Sequence, residues 1–292
     1  MPPIARTTRR PAWGESPMSF DLRNAINTIS DVVQNRPLPL REFDQIYMKI
    51  GDLALQAAFV AQRLDGKDVV FIGDGDGICL SIAHLKGQDV MEYGPRTMEV
   101  VDFDERIVKS ITRFADKYRY ENVSARLYNV ADSVPDDLIG SKEAFYTNPP
   151  WGASNEGESV LAFVERGIEC TKDGGLGVVV LADDLSYSWT QQVLRNVQLR
   201  VLDAGFVVAE MDPEAHLYHL DDAPDLHSCS LVFRRVNLVM KPVKSTPLDG
   251  QRLQNFYGRN NPMRYRYVRE RVTLHYGRAA ETAYELVPLE GF

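Results

Sequence analysis

Short apolar segments rich in β-branched residues alternate with segments of helical spacing through the middle of this chain. The first of them, Val-Val-Phe-Ile at 69–72, runs into a glycine-rich turn, after which helical spacing covers 78–85. Further strand-like segments occur at 97–103, 124–128, 143–147, 176–181, 207–210 and 228–236, and the last two are expected to pair with each other. Because strands that alternate with helices pair in parallel, the sequence predicts an α/β fold with helices on both faces of the sheet.

The regions that flank this alternation predict a chain in three parts. Residues 1–48 form a small N-terminal extension with a helix over 19–33, which the prolines at 37 and 39 separate from the next helix. Residues 49–240 form the α/β domain, which begins with a helix over 49–64. Residues 241–292 form a basic C-terminal extension. It carries seven arginines, which are Arg252, Arg259, Arg264, Arg266, Arg269, Arg271 and Arg278.

Charge and composition exclude several classes of protein. The formal net charge is -8, which suits a small cationic partner better than a nucleic acid. We find no apolar run long enough to cross a membrane, and we expect no membrane partner. The chain has three cysteines, Cys79, Cys170 and Cys229. Their number and spacing do not match a disulfide framework, so we expect buried thiols and a cytoplasmic location. The histidines at 216, 219 and 227 lack the spacing of a zinc site, and we expect no metal.

The turn after the first strand has the composition of a ligand-binding loop. It reads Gly-Asp-Gly-Asp-Gly at 73–77, and Gly73, Gly75 and Gly77 let the backbone turn sharply and approach a ligand closely. The spacing differs from the G-x-G-x-x-G pattern of nicotinamide enzymes. The carboxylates of Asp74 and Asp76 would repel a pyrophosphate but would attract the positive charge of a sulfonium.

Acids also occur at the ends of the next two strands. Asp102 and Asp104 flank Phe103 at the end of the second strand, where either carboxylate can accept both hydroxyls of a ribose. Asp132 comes after the third strand, where we expect an acid to bind the amino group of adenine. Each acid alone could instead cap a helix or solvate a loop, but their place at successive strand ends favours a nucleoside site. The pattern predicts a Rossmann-like sheet of the class I methyltransferase type that binds S-adenosylmethionine or its decarboxylated form.

Asn-Pro-Pro-Trp at 148–151 comes after the fourth strand and resembles a signature of enzymes that alkylate amino nitrogens. The prolines hold the backbone extended and without amide donors of its own. Asn148 and the Pro149 carbonyl can then accept hydrogen bonds from a target amine and aim its lone pair at the electrophilic carbon. Trp151 can cover a cation or stack on a flat base. We expect these three residues to act in catalysis with Asp74 or Asp76, which would take or hold the proton of the amine.

Several segments resemble the branched-chain polyamine synthases, which are N4-bis(aminopropyl)spermidine synthases. They are 41–47, the glycine–aspartate turn, 101–108, and the Pro-Pro segment with Phe-Val-Glu-Arg-Gly at 163–167. The resemblance implies a Rossmann-like catalytic domain that transfers aminopropyl groups from decarboxylated S-adenosylmethionine to the secondary amine of spermidine. Within the first of these segments, Tyr47 is expected to contact the substrate.

The chain departs from the family pattern at two positions. Gly75 stands where family members have the middle acid of Gly-Asp-Asp-Asp, and Asn148 stands where they usually have Asp before Pro-Pro. A neutral Asn148 favours binding of an uncharged amine and weakens a role as general base. The winged-helix region of archaeal members is expected to be absent or much shortened.

The predicted function is aminopropyl transfer to a polyamine nitrogen. Asp183 and Asp184 come after the fifth strand, so we expect them to face the ligand crevice and to bind an ammonium group, together with Tyr47 and Trp151. A homodimer is compatible with this function. One alternative is an amino-N-methyltransferase that uses S-adenosylmethionine and acts on adenine in DNA or RNA or on another amine. The Arg- and Tyr-rich extension could then contact nucleic acid. The other alternative is a non-catalytic ligand-binding protein.

Overall fold

The central sheet confirms the predicted fold class. The computed structural model describes residues 21–220, 225–236, 244–271 and 283–289. Seven strands of these residues form one sheet in the order β3-β2-β1-β4-β5-β7-β6. They are β1 (Asp68–Ile72), β2 (Thr97–Asp102), β3 (Val123–Leu127), β4 (Lys142–Thr147), β5 (Thr171–Ala182), β6 (Phe206–Leu217) and β7 (His227–Arg235). The first five strands pair in parallel, and β7 pairs antiparallel with both β5 and β6. The fold is therefore Rossmann-like and of the class I methyltransferase type.

Helices cover both faces of the sheet. They are α1 (Leu22–Asn35), α2 (Ile50–Arg63), α3 (Ile78–Gly87), α4 (Glu105–Tyr118), α5 (Glu158–Cys170) and α6 (Ser188–Asp203). Successive side chains of a strand point to opposite faces, and β1 shows the consequence. Val69 and Phe71 pack into the core with α1 to α4, whereas Val70 and Ile72 pack into the core with α5 and α6. Two apolar cores thus hold β1 at the centre of the molecule.

Helix α1 is part of the first core. Asp21 begins the helix, because its carboxylate accepts hydrogen bonds from the amides of Arg23 and Asn24. Ala25, Ile29 and Val32 are fully buried in the same cluster as residues of α2 and α3. The division of the chain at residues 48 and 49 therefore stays a prediction, although the helix itself is present.

Two strands are longer than their sequence pattern predicts. Strand β5 begins five residues before the predicted segment, at Thr171, and crosses Gly174 and Gly175. Strand β6 runs to Leu217, although apolar spacing ends near residue 210. It lies at the edge of the sheet, where half of its side chains are exposed. Its pairing with the buried strand β7 holds it in place, and this long-range contact has no local signal.

The C-terminal extension has structure of its own. It contains α7 (Gly250–Gln254) and a hairpin of β8 (Tyr265–Glu270) and β9 (Tyr284–Pro288). Val268 of the hairpin forms a parallel bridge with Asp104, so the extension lies beside the end of β2. Residues 272–282, which include Arg278, lie outside the described residues, as do residues 1–20.

The remaining composition-based predictions concern cysteines and membrane spans. All three cysteines are buried free thiols, as expected. Among the described residues, every helix is too short or too polar to cross a bilayer. The cytoplasmic location and the homodimer stay predictions.

Candidate active site

A cavity of about 480 Å³ opens at the carboxyl ends of β1, β2, β3 and β4. In parallel α/β sheets the loops at these strand ends form the ligand crevice, so the position agrees with the fold. Four carboxylates line it, those of Asp44, Asp74, Asp76 and Asp102. Eleven aromatic residues line it as well: Phe43, Tyr47, Phe103, Tyr128, Trp151, Phe163, Tyr187, Trp189, Tyr218, Phe256 and Tyr257. Acidic and aromatic groups together suit an organic cation with a flat ring.

The glycine-rich turn forms one wall of this cavity. Gly73 and Gly77 both have positive φ, 73° and 76°, which an L-residue rarely adopts. The two carboxylate oxygens of Asp74 accept hydrogen bonds from the amides of Ile78 and Cys79, at 2.8 and 2.9 Å. Asp74 thus caps the N-terminus of α3, and burial raises its pKa well above the usual range. Both oxygens of Asp74 are thus engaged by backbone amides of the helix.

Asp76 is held by three different elements. One carboxylate oxygen accepts the Met48 amide at 2.7 Å, and the other accepts the Asn148 side-chain amide at 2.7 Å. The guanidinium of Arg36 lies 3.7 Å from the first oxygen and also donates to the Asp76 carbonyl. Burial raises the pKa of Asp76, while Arg36 and the two amides oppose that rise. Asp76 and Asn148, predicted from separate motifs, therefore form one hydrogen-bonded pair at the cavity wall.

Of the two acids after the second strand, Asp102 faces the cavity. Its oxygens accept the amides of Asp74, at 3.1 Å, and of Asp104, at 2.9 Å. Burial and the neighbouring Asp104 carboxylate raise its pKa to about 7. Each oxygen keeps further lone-pair capacity for a ligand hydroxyl. Phe103, predicted beside it, also lines the cavity.

Asp104 has a structural role instead. It is fully buried and forms a two-pronged ion pair with Arg106, with N–O distances of 3.0 and 2.6 Å. Its carboxylate also accepts the Arg106 amide at the start of α4 and the side-chain amide of Gln45. These partners turn Asp104 away from the cavity, and the wall does not include it.

The loop after β3 presents Asn129 and Val130 to the cavity, not Asp132. Asp132 forms an ion pair with Arg266 of the C-terminal extension at 2.9 Å. The chain turns between these residues, since the Asn129 carboxamide accepts the Ala131 amide. The position predicted for an adenine-binding acid is therefore taken by an asparagine and a valine.

The Asn-Pro-Pro-Trp corner lies beside the glycine-rich turn, because β4 pairs with β1 and Asn148 donates to Asp76. Pro149 is buried, and Asn148, Pro149, Pro150 and Trp151 all line the cavity. The indole ring of Trp151 meets the ring of Tyr218 edge to face, with centroids 4.9 Å apart. The corner therefore presents a carboxamide oxygen and an aromatic face to the same space.

Tyr218 connects the corner to a buried polar chain. Its hydroxyl lies 3.5 Å from the Asn148 side-chain oxygen and 3.2 Å from the Ser228 hydroxyl, which lies 2.9 Å from a ring nitrogen of His216. Tyr218, Ser228 and His216 are each at most 3% exposed. Burial lowers the pKa of His216 to about 4, so the imidazole is neutral at physiological pH. No local sequence signal points to this polar chain, because strands β6 and β7 bring its members together.

Tyr47 lines the cavity from the segment that crosses above the glycine-rich turn. Its hydroxyl donates to the Pro37 carbonyl at 3.0 Å, and the Arg36 guanidinium lies 4.5 Å from its ring centre. A side chain at position 75 would begin only 3.1 Å from a ring carbon of Tyr47. The space beside Gly75, the position where the family pattern has an acid, is thus filled by the ring of Tyr47.

Asp183 and Asp184 do not line the cavity, although they come directly after β5. The Asp184 carboxylate accepts the Ser186 amide at 2.8 Å and lies 3.8 Å from His227. These contacts close the turn after β5. The Asp183 carboxylate lies 3.4 Å from the side-chain nitrogen of Gln191. The same turn instead contributes Tyr187 and Trp189 to the wall.

The basic extension forms several ion pairs with acids of the α/β domain. Four of its described arginines form ion pairs, namely Arg252 with Glu158 and Glu165, Arg266 with Asp132, Arg269 with Glu105, and Arg271 with Glu285. A paired guanidinium has less charge to offer a phosphate. The extension therefore acts as a structural element of the site.

Sequence patterns do not identify several of the lining residues. Phe43, Tyr128 and Tyr218 resemble ordinary core aromatics, and only their place in the fold brings them to the cavity. Tyr187 and Trp189 carry one usable signal, since they come shortly after a predicted strand.

Comparison with known proteins identifies a family that matches most of the chain. Residues 24–243 match the family described as the branched-chain polyamine synthase A C-terminal domain. The N(4)-bis(aminopropyl)spermidine synthase of Thermococcus kodakarensis is 29% identical over 154 residues, which are 51% of this chain and 40% of that protein. The enzyme of the same name from Methanocaldococcus jannaschii is 27% identical over 157 residues, which are 51% of this chain and 40% of that protein. The match thus spans less than half the length of these curated relatives.

Solved structures show the same fold. The branched-chain polyamine synthase C9 mutein of Thermus thermophilus, in complex with N4-aminopropylspermidine and 5'-methylthioadenosine, has a TM-score of 0.65 and 21% identity, and the match covers 83% of this chain and 70% of that one. A putative RNA methyltransferase from Pyrococcus horikoshii has a TM-score of 0.50 and 13% identity, over 73% of this chain and 99% of that one. Since the family match covers most of the sequence and its region contains the glycine turn and the Pro-Pro corner, this chain belongs to the branched-chain polyamine synthase family.

Proposed function

We propose that this chain transfers an aminopropyl group from decarboxylated S-adenosylmethionine to a nitrogen of a polyamine. Family membership supports the reaction class, and the curated relatives bear the name of that activity. The observation that carries the proposal is the cavity in which the Asp76–Asn148 pair and Pro149 face Asp102 and the aromatic wall. A cationic donor and a cationic acceptor both fit a site of this charge and composition.

The nucleoside of the donor lies across the ends of β1, β2 and β3. Asp102 accepts the ribose hydroxyls, because its carboxylate faces the cavity and has unused lone pairs. Phe103 and Val130 hold the adenine between them. The sulfonium then lies near the glycine-rich turn, where the buried carboxylates of Asp74 and Asp76 stabilise its charge.

The acceptor amine binds at the Pro-Pro corner. The oxygen of Asn148 and the carbonyl of Pro149 accept its hydrogens, which leaves the nitrogen lone pair aimed toward the donor. Trp151 and Tyr218 offer ring faces to the cationic remainder of the polyamine. Asp44 also lines the cavity, where the surrounding protein raises the pKa of its carboxyl and Arg41 opposes the rise. An ammonium group of the polyamine would stabilise that carboxylate.

In the transfer step, the amine lone pair attacks the methylene carbon bonded to sulfur. A nitrogen–carbon bond forms, the carbon–sulfur bond breaks, and its electron pair stays on sulfur, giving methylthioadenosine. The nitrogen then loses one proton. Asp76 contacts Asn148 directly, and burial makes its carboxylate a better proton acceptor than that of an exposed aspartate. Orientation of the lone pair supplies most of the rate gain.

Product analysis tests the proposal. The protein is incubated with decarboxylated S-adenosylmethionine or with S-adenosylmethionine, each with a panel of polyamines and with oligonucleotides, and the product masses are read. We expect an aminopropyl mass increase on a polyamine, only with the decarboxylated donor. A methyl mass increase with the ordinary donor would instead support the amino-N-methyltransferase, and no product with any pair would support a binding protein.

Two variants make the assay specific for the site. Asn148→Ala should lower turnover on the order of 100-fold while methylthioadenosine still binds, because the oxygen that orients the amine is lost. Asn27→Ala removes the same side chain from the exposed face of α1 and should leave turnover unchanged. Full activity of Asn148→Ala would remove the Pro-Pro corner from the reaction.

A further inference from the structure

The C-terminal segment, residues 244–271, reaches the cavity although it lies beyond the family match at 24–243. Three of its side chains form part of the wall: Phe256, Tyr257 and Met263. Phe256 and Met263 are each only 2% exposed. A segment outside the shared domain therefore completes the site of this chain.

The C-terminal segment is fastened to three loops at the strand ends. The Val268 amide donates to the Phe103 carbonyl after β2, at 3.2 Å, and the Leu248 amide donates to the Ala131 carbonyl after β3, at 2.8 Å. After β4, the side-chain amide of Asn155 donates to the Phe256 carbonyl at 2.8 Å. The ends of β2 and β3 and their loops are the parts of the chain that present Asp102, Asn129 and Val130 to the cavity.

Ion pairs and amide contacts fix the segment further. Arg252 pairs with Glu158 at 3.1 Å and with Glu165 at 2.7 Å, both on α5. The Asn129 side-chain amide donates to the Arg266 carbonyl at 2.6 Å. Contacts at so many points hold the wall in one position relative to Asp102.

The aromatic rings of the segment lie at the nucleoside end of the cavity. The Tyr257 ring lies 6.0 Å from that of Phe43, and Phe43 meets Phe103 edge to face at 5.2 Å. The nearby carboxylates of Asp44 and Asp102 contribute to the raised pKa of the Tyr257 hydroxyl, which burial mainly causes. Tyr257 is thus close in space to Asp102, the proposed ribose-binding residue, although the two are far apart in the sequence.

We propose that Tyr257 is a binding residue for the adenine ring of the donor, with Phe43 completing the aromatic wall on the same side. The inference rests on the proposed function for the identity of the donor, but it concerns nucleoside binding alone. A flat base stacks favourably on an aromatic ring whether or not the ring carries a hydroxyl. The ring of Tyr257 therefore contributes to nucleoside affinity, and its oxygen does not. The C-terminal segment thereby determines which nucleosides the site accepts.

Calorimetry with 5'-methylthioadenosine on the full chain tests this inference. Tyr257→Leu fills the space without a ring and should weaken binding on the order of ten-fold. Tyr257→Phe keeps the ring and should restore wild-type affinity. Tyr267→Leu is the matched control, because Tyr267 lies on the same segment, packs with Arg266 and Arg269, and is not part of the cavity wall. It should bind as the wild type does.

Circular dichroism shows whether each variant folds, and Tyr257→Met replaces Tyr257→Leu if the latter does not. Wild-type affinity in a folded Tyr257→Leu or Tyr257→Met, or an equal loss in Tyr267→Leu, would overturn the inference. If the wild type binds methylthioadenosine through Tyr257 but forms no aminopropyl product, only the proposed function is refuted. Failure of the wild type to bind either methylthioadenosine or S-adenosylhomocysteine would refute both.

Discussion

Replacing Asn148 by aspartate gives the most informative test of the Asp76–Asn148 pair. The Asn148 side-chain nitrogen lies 2.7 Å from an oxygen of Asp76, so the variant would place two carboxyl groups in hydrogen-bond contact. Two unit charges about 4 Å apart repel by about 4 kcal/mol at the effective dielectric constant of a protein. This repulsion would raise the second pKa of the pair by about 3 units. Below that pKa, the two groups share one proton.

The sign of the resulting pH dependence comes from the raised pKa. In the unfolded chain the new carboxyl ionises near its ordinary pKa of about 3.9, and in the folded chain only at about 7. The variant therefore loses stability relative to the wild type as pH rises through this window. The loss should be about 1.5 kcal/mol at about pH 5 and about 4 kcal/mol at about pH 8.

Urea unfolding of the wild type, Asn148→Asp and Asn148→Ala at these two pH values measures the effect. Asn148→Ala introduces no charge, so its difference from the wild type should vary little with pH. A difference for Asn148→Asp that is equal at both pH values would show that position 148 does not contact Asp76. The geometry of the proposed catalytic corner would then be refuted.

Three further results are expected. Affinity for methylthioadenosine should increase as pH rises toward about 7 and then level off. The reason is that ribose hydroxyls favour the ionised form of Asp102, whose pKa is about 7 when the ligand is absent. Calorimetry that shows constant affinity across this range would remove Asp102 from the ribose site. Tyr218→Phe should lower kcat about ten-fold without changing affinity for methylthioadenosine, because Asn148 loses a hydrogen-bond partner that orients it. If steady-state kinetics give this variant the kcat of the wild type, the Tyr218–Ser228–His216 chain has no role in the reaction. Phe71→Ala should lower the free energy of unfolding by about 3–5 kcal/mol, because the ring is fully buried at the centre of the sheet; a loss below about 1 kcal/mol in urea unfolding would contradict the packing described.

The sheet can be predicted from the sequence because its central strands are buried on both faces. Val69 to Ile72 form a continuous apolar run, and such runs alternate with amphipathic helices down to α6. The apolar pattern predicts too short a strand at the position of edge strand β6, since Glu210, Asp212, Pro213 and Glu214 interrupt the apolar residues of that strand. Position in the sheet, not local sequence, decides where β6 ends.

The site can be predicted in part because strand ends converge. Gly73, Asp76, Asp102 and Asn148 each lie at or just beyond the end of a central strand, and the cavity brings them together. The same reasoning wrongly predicts that Asp104, Asp132 and the two acids after β5 lie in the crevice. In the structure, Asp104 pairs with Arg106 and Asp132 pairs with Arg266. The two acids after β5 accept hydrogen bonds from the Gln191 side chain and from the Ser186 amide. Which way a carboxylate points depends on partners that are set by the fold.

The aromatic wall cannot be predicted because it comes from segments at both ends of the sequence. Phe43 precedes the first strand, and Tyr257 comes after the last strand of the sheet. The ion pairs, backbone contacts and buried side chains of the folded extension bring the two rings together. The sequence predicts a basic extension, but it does not show that this extension packs against the α/β domain of the same chain.

A crystal structure of the protein with 5'-methylthioadenosine bound would show where the nucleoside lies relative to Asp102 and the Pro-Pro corner. We expect the ribose hydroxyls on Asp102, the adenine against Phe103 and Tyr257, and the sulfur directed toward Asn148 and Pro149. A nucleoside bound elsewhere, or bound with its sulfur directed away from the Pro-Pro corner, would show that aminopropyl transfer does not take place in this cavity.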